Sequence, residues 1–165
     1  MALPAGSEAP EFALPAAGDD RELLSLADLT ATGPAFLAFF KTSCPTCQLS
    51  FPVWGELARR YGDDVRVVAI SQDPLGKARE WLDERGFEAP VLDDSEGYVV
   101  SKAYELDAVP SLVLVDPDGK VIDSSEGWHR DRANAWDAAL AELAGRPSPG
   151  PLSPEDDGRP PMKPG

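Results

Sequence analysis

Pro34-Ala35-Phe36-Leu37-Ala38-Phe39-Phe40-Lys41-Thr42-Ser43-Cys44-Pro45-Thr46-Cys47 joins an unbroken apolar run to two cysteines three residues apart. The run from Ala35 to Lys41 is apolar on both faces, the pattern of a strand at the centre of a parallel sheet. Beyond the cysteines, Leu49, Val53, Leu57 and Tyr61 recur at helical spacing, and Gly62 marks a stop. The stretch therefore predicts a buried strand, a C-x-x-C turn and an amphipathic helix over Pro45 to Tyr61. A cysteine pair at such a junction is a redox signal, because the geometry activates a thiol.

The activation has a simple origin. With Cys44 at the helix cap, Pro45 takes the first helical position, where its missing N–H costs nothing. The free amides near Thr46 and Cys47 then face the Cys44 sulfur, and the positive end of the helix dipole favours thiolate over thiol. Cys47 lies one turn on, on the same face and within disulfide reach. Cys44 is thus the candidate attacking thiol and Cys47 the resolving thiol, the redox-active Cys44–Cys47 disulfide being the only cofactor expected. A structural disulfide closing so short a loop restrains the unfolded chain little. Zinc would need two more ligands, and the chain has no third cysteine and one histidine, His129, so no metal is expected.

The 165 residues suit one domain able to bury a core. A net charge of −14 makes nucleic acid and anionic membranes poor partners. No apolar run is long enough to span a membrane. Met1-Ala2-Leu3-Pro4 lacks a signal peptide's basic and apolar regions, so a cytoplasmic location is expected, or an exported one if a leader has been removed.

Working outward, an extended segment over Ser7 to Leu14 pairs with Glu22 to Leu26, and a brief helical turn precedes Gly33-Pro34. Val65 to Ile70 is a second buried strand. A helix from about Leu75 to Arg85, with Trp81 and Leu82 inward, stops at Gly86. A short strand over Pro90 to Asp93 and a helix over Gly97 to Leu106 follow. Ser111 to Val115 is a strand, Asp116-Pro117-Asp118-Gly119 a turn, and Lys120 to Ser124 its antiparallel return. The last helix, Arg130 to Leu143, turns Ala133, Trp136, Leu140 and Leu143 inward. Trp54 reads as core, Trp128 as a candidate for the rim of the site, and His129 as a surface residue. The alternation predicts an α/β three-layer sandwich with a central mixed β-sheet flanked by helices. The chain divides into a domain over 1–145 and a tail over 146–165. That tail carries seven prolines and three glycines, and is expected to be disordered or to lie extended on the domain.

Taken in order, these pieces resemble the thioredoxin superfamily, and within it the TlpA-like and redoxin (alkyl hydroperoxide reductase/thiol-specific antioxidant-like) thiol–disulfide oxidoreductases. The resemblance rests on Ala9-Pro10-Glu11-Phe12-Ala13-Leu14, Leu24-Ser25-Leu26-Ala27-Asp28-Leu29, the strand into Cys44-Pro45-Thr46-Cys47, Val68-Ala69-Ile70-Ser71-Gln72-Asp73, and Val109-Pro110-Ser111-Leu112-Val113-Leu114-Val115-Asp116-Pro117-Asp118-Gly119. It covers residues 6 to 144 and implies a thioredoxin-like fold with a TlpA-type helix–strand insertion over 75–107. It also implies a cis Val109–Pro110 bond beside the cysteines, with Val109, Pro110, Pro45 and Thr46 as substrate-binding residues. The chain departs from the family at Ala38, where many thioredoxins bury an aspartate, and at Ser43, often tryptophan. Lys41 reads as a solvated strand end.

The implied activity is disulfide exchange with protein thiols and disulfides, by a monomer, with a thioredoxin or disulfide reductase as candidate partner. Two alternatives are a thiol-dependent peroxidase and a non-catalytic binding module of the same fold. The peroxidase frame Pro-x-x-x-Thr/Ser-x-x-Cys is absent: its positions hold Phe40 and Cys44 before Cys47, and Leu37 and Lys41 before Cys44.

Overall fold

The computed structural model describes residues 2–18 and 20–165. An antiparallel pair, β1 (Ala13–Pro15) and β2 (Leu23–Ser25), leads into a one-turn helix, α1 (Leu26–Leu29). Ser25 and Asp28 close a reciprocal capping box at its start. The apolar run then forms β3 (Ala35–Phe40), every residue of it buried. After α2 (Pro45–Tyr61) come β4 (Arg66–Ser71), α3 (Leu75–Asp83), β5 (Val91–Asp93) and α4 (Val99–Ala103). A hairpin of β6 (Ser111–Val115) and β7 (Val121–Glu126) precedes the short β8 (Trp128–His129) and α5 (Arg130–Ala144), and β9 (Met162–Lys163) closes the chain.

The five-stranded sheet has the order β5-β4-β3-β6-β7. β3 runs parallel to β4 and antiparallel to β6, so the sheet is mixed, as the sequence predicts. Alternate residues of β3 feed two cores. Phe36, Ala38 and Phe40 face α2, α3 and α5, packed with Phe51, Trp54, Trp81 and Trp136. Ala35, Leu37 and Phe39 face the other layer with Phe12, Leu26, Tyr104 and Val113. Phe36 meets Trp136 edge-to-face at 5.2 Å, and Phe40 stacks on Trp81 at 5.0 Å. This double burial is the main reason the strand sits at the sheet's centre.

The hairpin turn forms as its residues demand. Asp116 Oδ1 accepts from the amides of Asp118 and Lys120, each at 2.9 Å, and Gly119 takes φ +83. Gly62 stands at the end of α2 but in right-handed conformation, φ −63, its amide bonded to the Ala58 carbonyl. Glycine is required there by space: an added Cβ would lie 2.5 Å from that carbonyl oxygen.

One expectation needs correction, and another takes one of its two forms. Leu143 is 45% exposed, because the inward face of α5 is carried by Ala133, Trp136, Asp137, Leu140 and Ala141. The stretch over 146–165 is ordered, and of the two expected arrangements the chain takes the one lying on the domain. Leu152 enters the α2-side core, and Ser153 is bonded twice to Asn134. Arg130, Asp157 and Arg159 form a largely buried ion-pair cluster, with Arg130 Nη2 and Arg159 Nη1 each 3.1 Å from the Asp157 carboxylate. Arg159 Nε reaches the Leu49 carbonyl of α2 at 2.9 Å, one turn before the Pro52 that removes a rung from that helix. Proline-rich composition hides this order. Prolines lower the entropy cost of fixing the chain, and domain side chains satisfy its polar groups.

Candidate active site

Cys44 caps α2 with extended backbone, φ −83 and ψ 115, and Pro45 is the first helical residue. The Cys47 amide donates to Cys44 Sγ at 3.1 Å, and the Cys44 thiol, when protonated, donates to the Val109 carbonyl at 3.3 Å. Cys44 is half-buried; Cys47 is fully buried. The preceding loop is clamped from both sides. The Thr42 amide donates to Asp73 at 2.7 Å, and Gln48 Nε2 donates to the Thr42 carbonyl at 3.2 Å. The Ser71-Gln72-Asp73 segment at the end of β4 thereby holds the turn from which Cys44 projects.

The two thiols are driven apart electrostatically. Cys44 is lowered to about 6 by the hydrogen bond from the Cys47 thiol first, then by the Cys47 and Thr46 amides and the positive charge of Lys163, against the opposing effect of burial. Cys47 is pushed far up, first by burial and then by its hydrogen bond to Cys44. One thiol is ionised near neutral pH while the other holds its proton, as sequential attack and resolution require.

Val109–Pro110 is cis, as the resemblance implies, and the Val109 carbonyl faces Cys44. Cys44, Thr46 and Val109 therefore converge. Pro45 is exposed beside them and Pro110 is buried beneath. Lys41 is exposed, as expected; the lysine that acts on Cys44 is Lys163, from the tail. Trp128 does not rim the site: it is fully buried, packs on Trp54, and donates Nε1 to the Pro160 carbonyl at 2.7 Å. His129 is exposed at the start of α5 and makes no side-chain cap.

The tail supplies what sequence reading missed. The Thr46 hydroxyl donates to the Pro164 carbonyl at 2.6 Å, and Thr46 is only 2% exposed. A Cβ added at Gly165 would stand 2.5 Å from the Val109 carbonyl oxygen, so only glycine fits that approach. No motif or spacing in the sequence links Lys163, Pro164 and Gly165 to cysteines more than a hundred residues earlier.

The profile of the redoxin family matches residues 4–139. Thiol-disulfide oxidoreductase ResA of Bacillus thuringiensis (strain Al Hakam) is 30% identical over 124 residues, covering 74% of this chain and 69% of that protein. Among solved structures, a Chlorobium tepidum protein assigned as thiol:disulfide interchange protein DsbE superposes with a TM-score of 0.74 at 28% identity, covering 87% of this chain and 99% of that one. Peroxidoxin BcpB of Mycobacterium tuberculosis superposes with a TM-score of 0.69 at 25% identity, covering 88% and 99%.

Proposed function

The chain belongs to the redoxin family, and from that premise we propose that it is a thiol–disulfide oxidoreductase working through Cys44 and Cys47 on protein partners. The carrying observation is the Cys47 amide on Cys44 Sγ at the helix start, with Cys44 lowered to about 6 and Cys47 held protonated. In the reducing direction, the Cys44 thiolate attacks one sulfur of a partner disulfide. A Cys44–partner disulfide forms, and the partner's other sulfur leaves as thiolate. Cys47 then gives up its proton and attacks Cys44 Sγ, releasing the partner's second sulfur. The partner disulfide becomes two thiols, and the Cys44–Cys47 dithiol becomes a disulfide. A thioredoxin or disulfide reductase would return that disulfide to the dithiol, and the protein would work as a monomer.

Support for this reading over peroxide reduction comes from the residues before the cysteines. Leu37 is buried in the core away from α2, and Lys41 is exposed, so neither supplies the hydroxyl and proline frame of a peroxidase thiolate. The deciding experiment equilibrates the protein in graded glutathione buffers and traps the Cys44–Cys47 state by alkylation. A midpoint near or below about −250 mV marks a reductant and one toward about −150 mV a disulfide donor. A pair that never cycles, together with rapid consumption of hydrogen peroxide, replaces this reading with the peroxidase one.

A further inference from the structure

The last four residues of the tail lie on both flanks of Cys44. Pro164 accepts from Thr46, the second residue after Cys44, at 2.6 Å. Gly165 approaches the Val109 carbonyl, the same oxygen that receives the Cys44 thiol. Gly127 completes the contact: a Cβ there would lie 3.1 Å from the Lys163 carbonyl oxygen and 3.2 Å from the Gly165 nitrogen. Extended backbone thus fills the surface between Thr46, Val109 and Gly127, beside the sulfur that a partner disulfide must reach.

The segment is held unevenly. Up to Pro161 the tail is anchored by Leu152 in the core, the Asp157 ion pairs, Trp128 Nε1 on the Pro160 carbonyl, and the Arg130 amide on the Pro161 carbonyl at 3.0 Å. Beyond that point the contacts are lighter: the two-residue ladder Trp128↔Lys163 and His129↔Met162, and the Thr46 hydroxyl. Met162 is 54% exposed. So short an edge pairing opens easily, while the anchor keeps the segment at high local concentration.

We propose that Met162–Gly165 is a resident occupant of the surface where a partner's extended backbone seats, a strap that a partner must displace before its disulfide reaches Cys44. The inference rests on the disulfide-exchange reading for what the displaced strap admits. It adds that exchange with bulky partners is slowed from within the chain, and that the surface takes a proline-bearing backbone such as Lys163-Pro164-Gly165.

The test compares the full chain with one ending at Pro161, and with a full-length Met162→Gly/Pro164→Gly variant in case shortening disturbs folding. Two rates are measured at pH 8.5, well above the value of about 6 for Cys44 in the full chain: alkylation by iodoacetamide, and reduction of the insulin disulfides with dithiothreitol as terminal reductant. If the strap is seated about nine-tenths of the time, freeing it speeds insulin reduction about tenfold. Iodoacetamide, small and uncharged, should gain much less. A peptide of residues 159–165, added to the shortened chain, should slow both reactions. Equal insulin rates in all forms overturn the strap while leaving the oxidoreductase reading intact, and a slower rate in the altered forms makes the segment part of the binding surface instead. If no form reduces insulin, the oxidoreductase reading fails. The peptide then decides the strap alone: protection of Cys44 from iodoacetamide supports it, and no protection overturns it.

Discussion

The Cys44 sulfur lies 3.1 Å from the amide nitrogen of Cys47 and accepts its hydrogen, while the Cys47 side chain is wholly buried. One short turn of helix therefore exposes an ionisable sulfur and conceals its partner. The asymmetry sets the order of chemistry, because only Cys44 is both accessible and ionised near neutral pH.

Alkylation of the reduced protein by iodoacetamide should rise with pH around a midpoint of about 6. A free cysteine would show about 8.5. Mass mapping should find the label on Cys44 alone. Lys163→Gln should raise the midpoint, and added salt should shrink the difference between the two proteins, since the lysine acts through charge. A midpoint above 8 in the unaltered protein would remove the helix-terminus account.

Cys47→Ser should accumulate a mixed disulfide between Cys44 and a protein substrate, stable on a non-reducing gel, because attack succeeds and resolution cannot. Cys44→Ser should abolish exchange altogether. Turnover by Cys44→Ser would show that Cys47 can attack directly, against its burial and raised proton affinity.

The reduced protein should become more stable as pH rises from 6 to 8.5. The folded Cys44 titrates at about 6; the unfolded thiol titrates at about 8.5. Between these values the unfolded chain binds more protons, so stability increases with pH. The contribution is complete above the unfolded value and is lost as pH falls through the folded one. Urea unfolding under reducing conditions at several pH values, set against Cys44→Ser, measures it. A difference that stays flat with pH would refute the linkage.

Gly55→Ala should destabilise the fold although alanine is the better helix former. A Cβ at Gly55 would stand 2.6 Å from the Gly86 carbonyl oxygen, a backbone atom that cannot swing away. Overpacking of this kind costs about 1–3 kcal/mol, more than the roughly 1 kcal/mol that helix propensity returns. Thermal unfolding should fall by roughly 2–4 °C per kcal/mol at this chain length. A rise in the midpoint would show that α2 can shift away from the loop before β5.

Asp157→Asn should loosen the tail without unfolding the domain. Burial works against the Asp157 carboxylate, yet hydrogen bonds from Ser153, the Arg159 amide, Arg130 and Arg159 hold it well below the usual carboxylate range. A depressed value contributes stability that is present above pH 4 or so and lost as the carboxylate is protonated below it. Protection of the Arg130 amide, which donates to the Pro161 carbonyl, taken relative to the intrinsic exchange rate, should fall in the variant and, in the unaltered protein, as pH drops below about 4. Unchanged protection in Asp157→Asn would show that Leu152 and Trp128 suffice to hold the segment.

Much of this protein was readable residue by residue. The helix over Pro45 to Tyr61 and the strand over Ser111 to Val115 match their sequence readings end to end, because each is bounded by an unambiguous proline, glycine or turn. The helix over Gly97 to Leu106 contracted to Val99–Ala103, since Tyr98 takes a left-handed conformation that no local pattern announces. Trp128, a candidate for the site's rim in the sequence, is buried in the core against Trp54, with its Nε1 on the carbonyl of Pro160, thirty-two residues on.

What the sequence alone determined was local and covalent: the cysteine spacing, the helix start that activates Cys44, and the apolar run that puts β3 at the centre of the sheet. Those follow from neighbours a few residues apart, where periodicity and capping act. The tertiary structure decided which distant groups meet the sulfur. Val109 reaches Cys44 through the sheet, and Lys163, Pro164 and Gly165 reach it through a tail whose order comes from the surface of the folded domain. Proline-rich sequence carries no hydrophobic period to reveal such a path; the path exists only once Leu49, Arg130, Asn134 and Trp128 stand together to receive it.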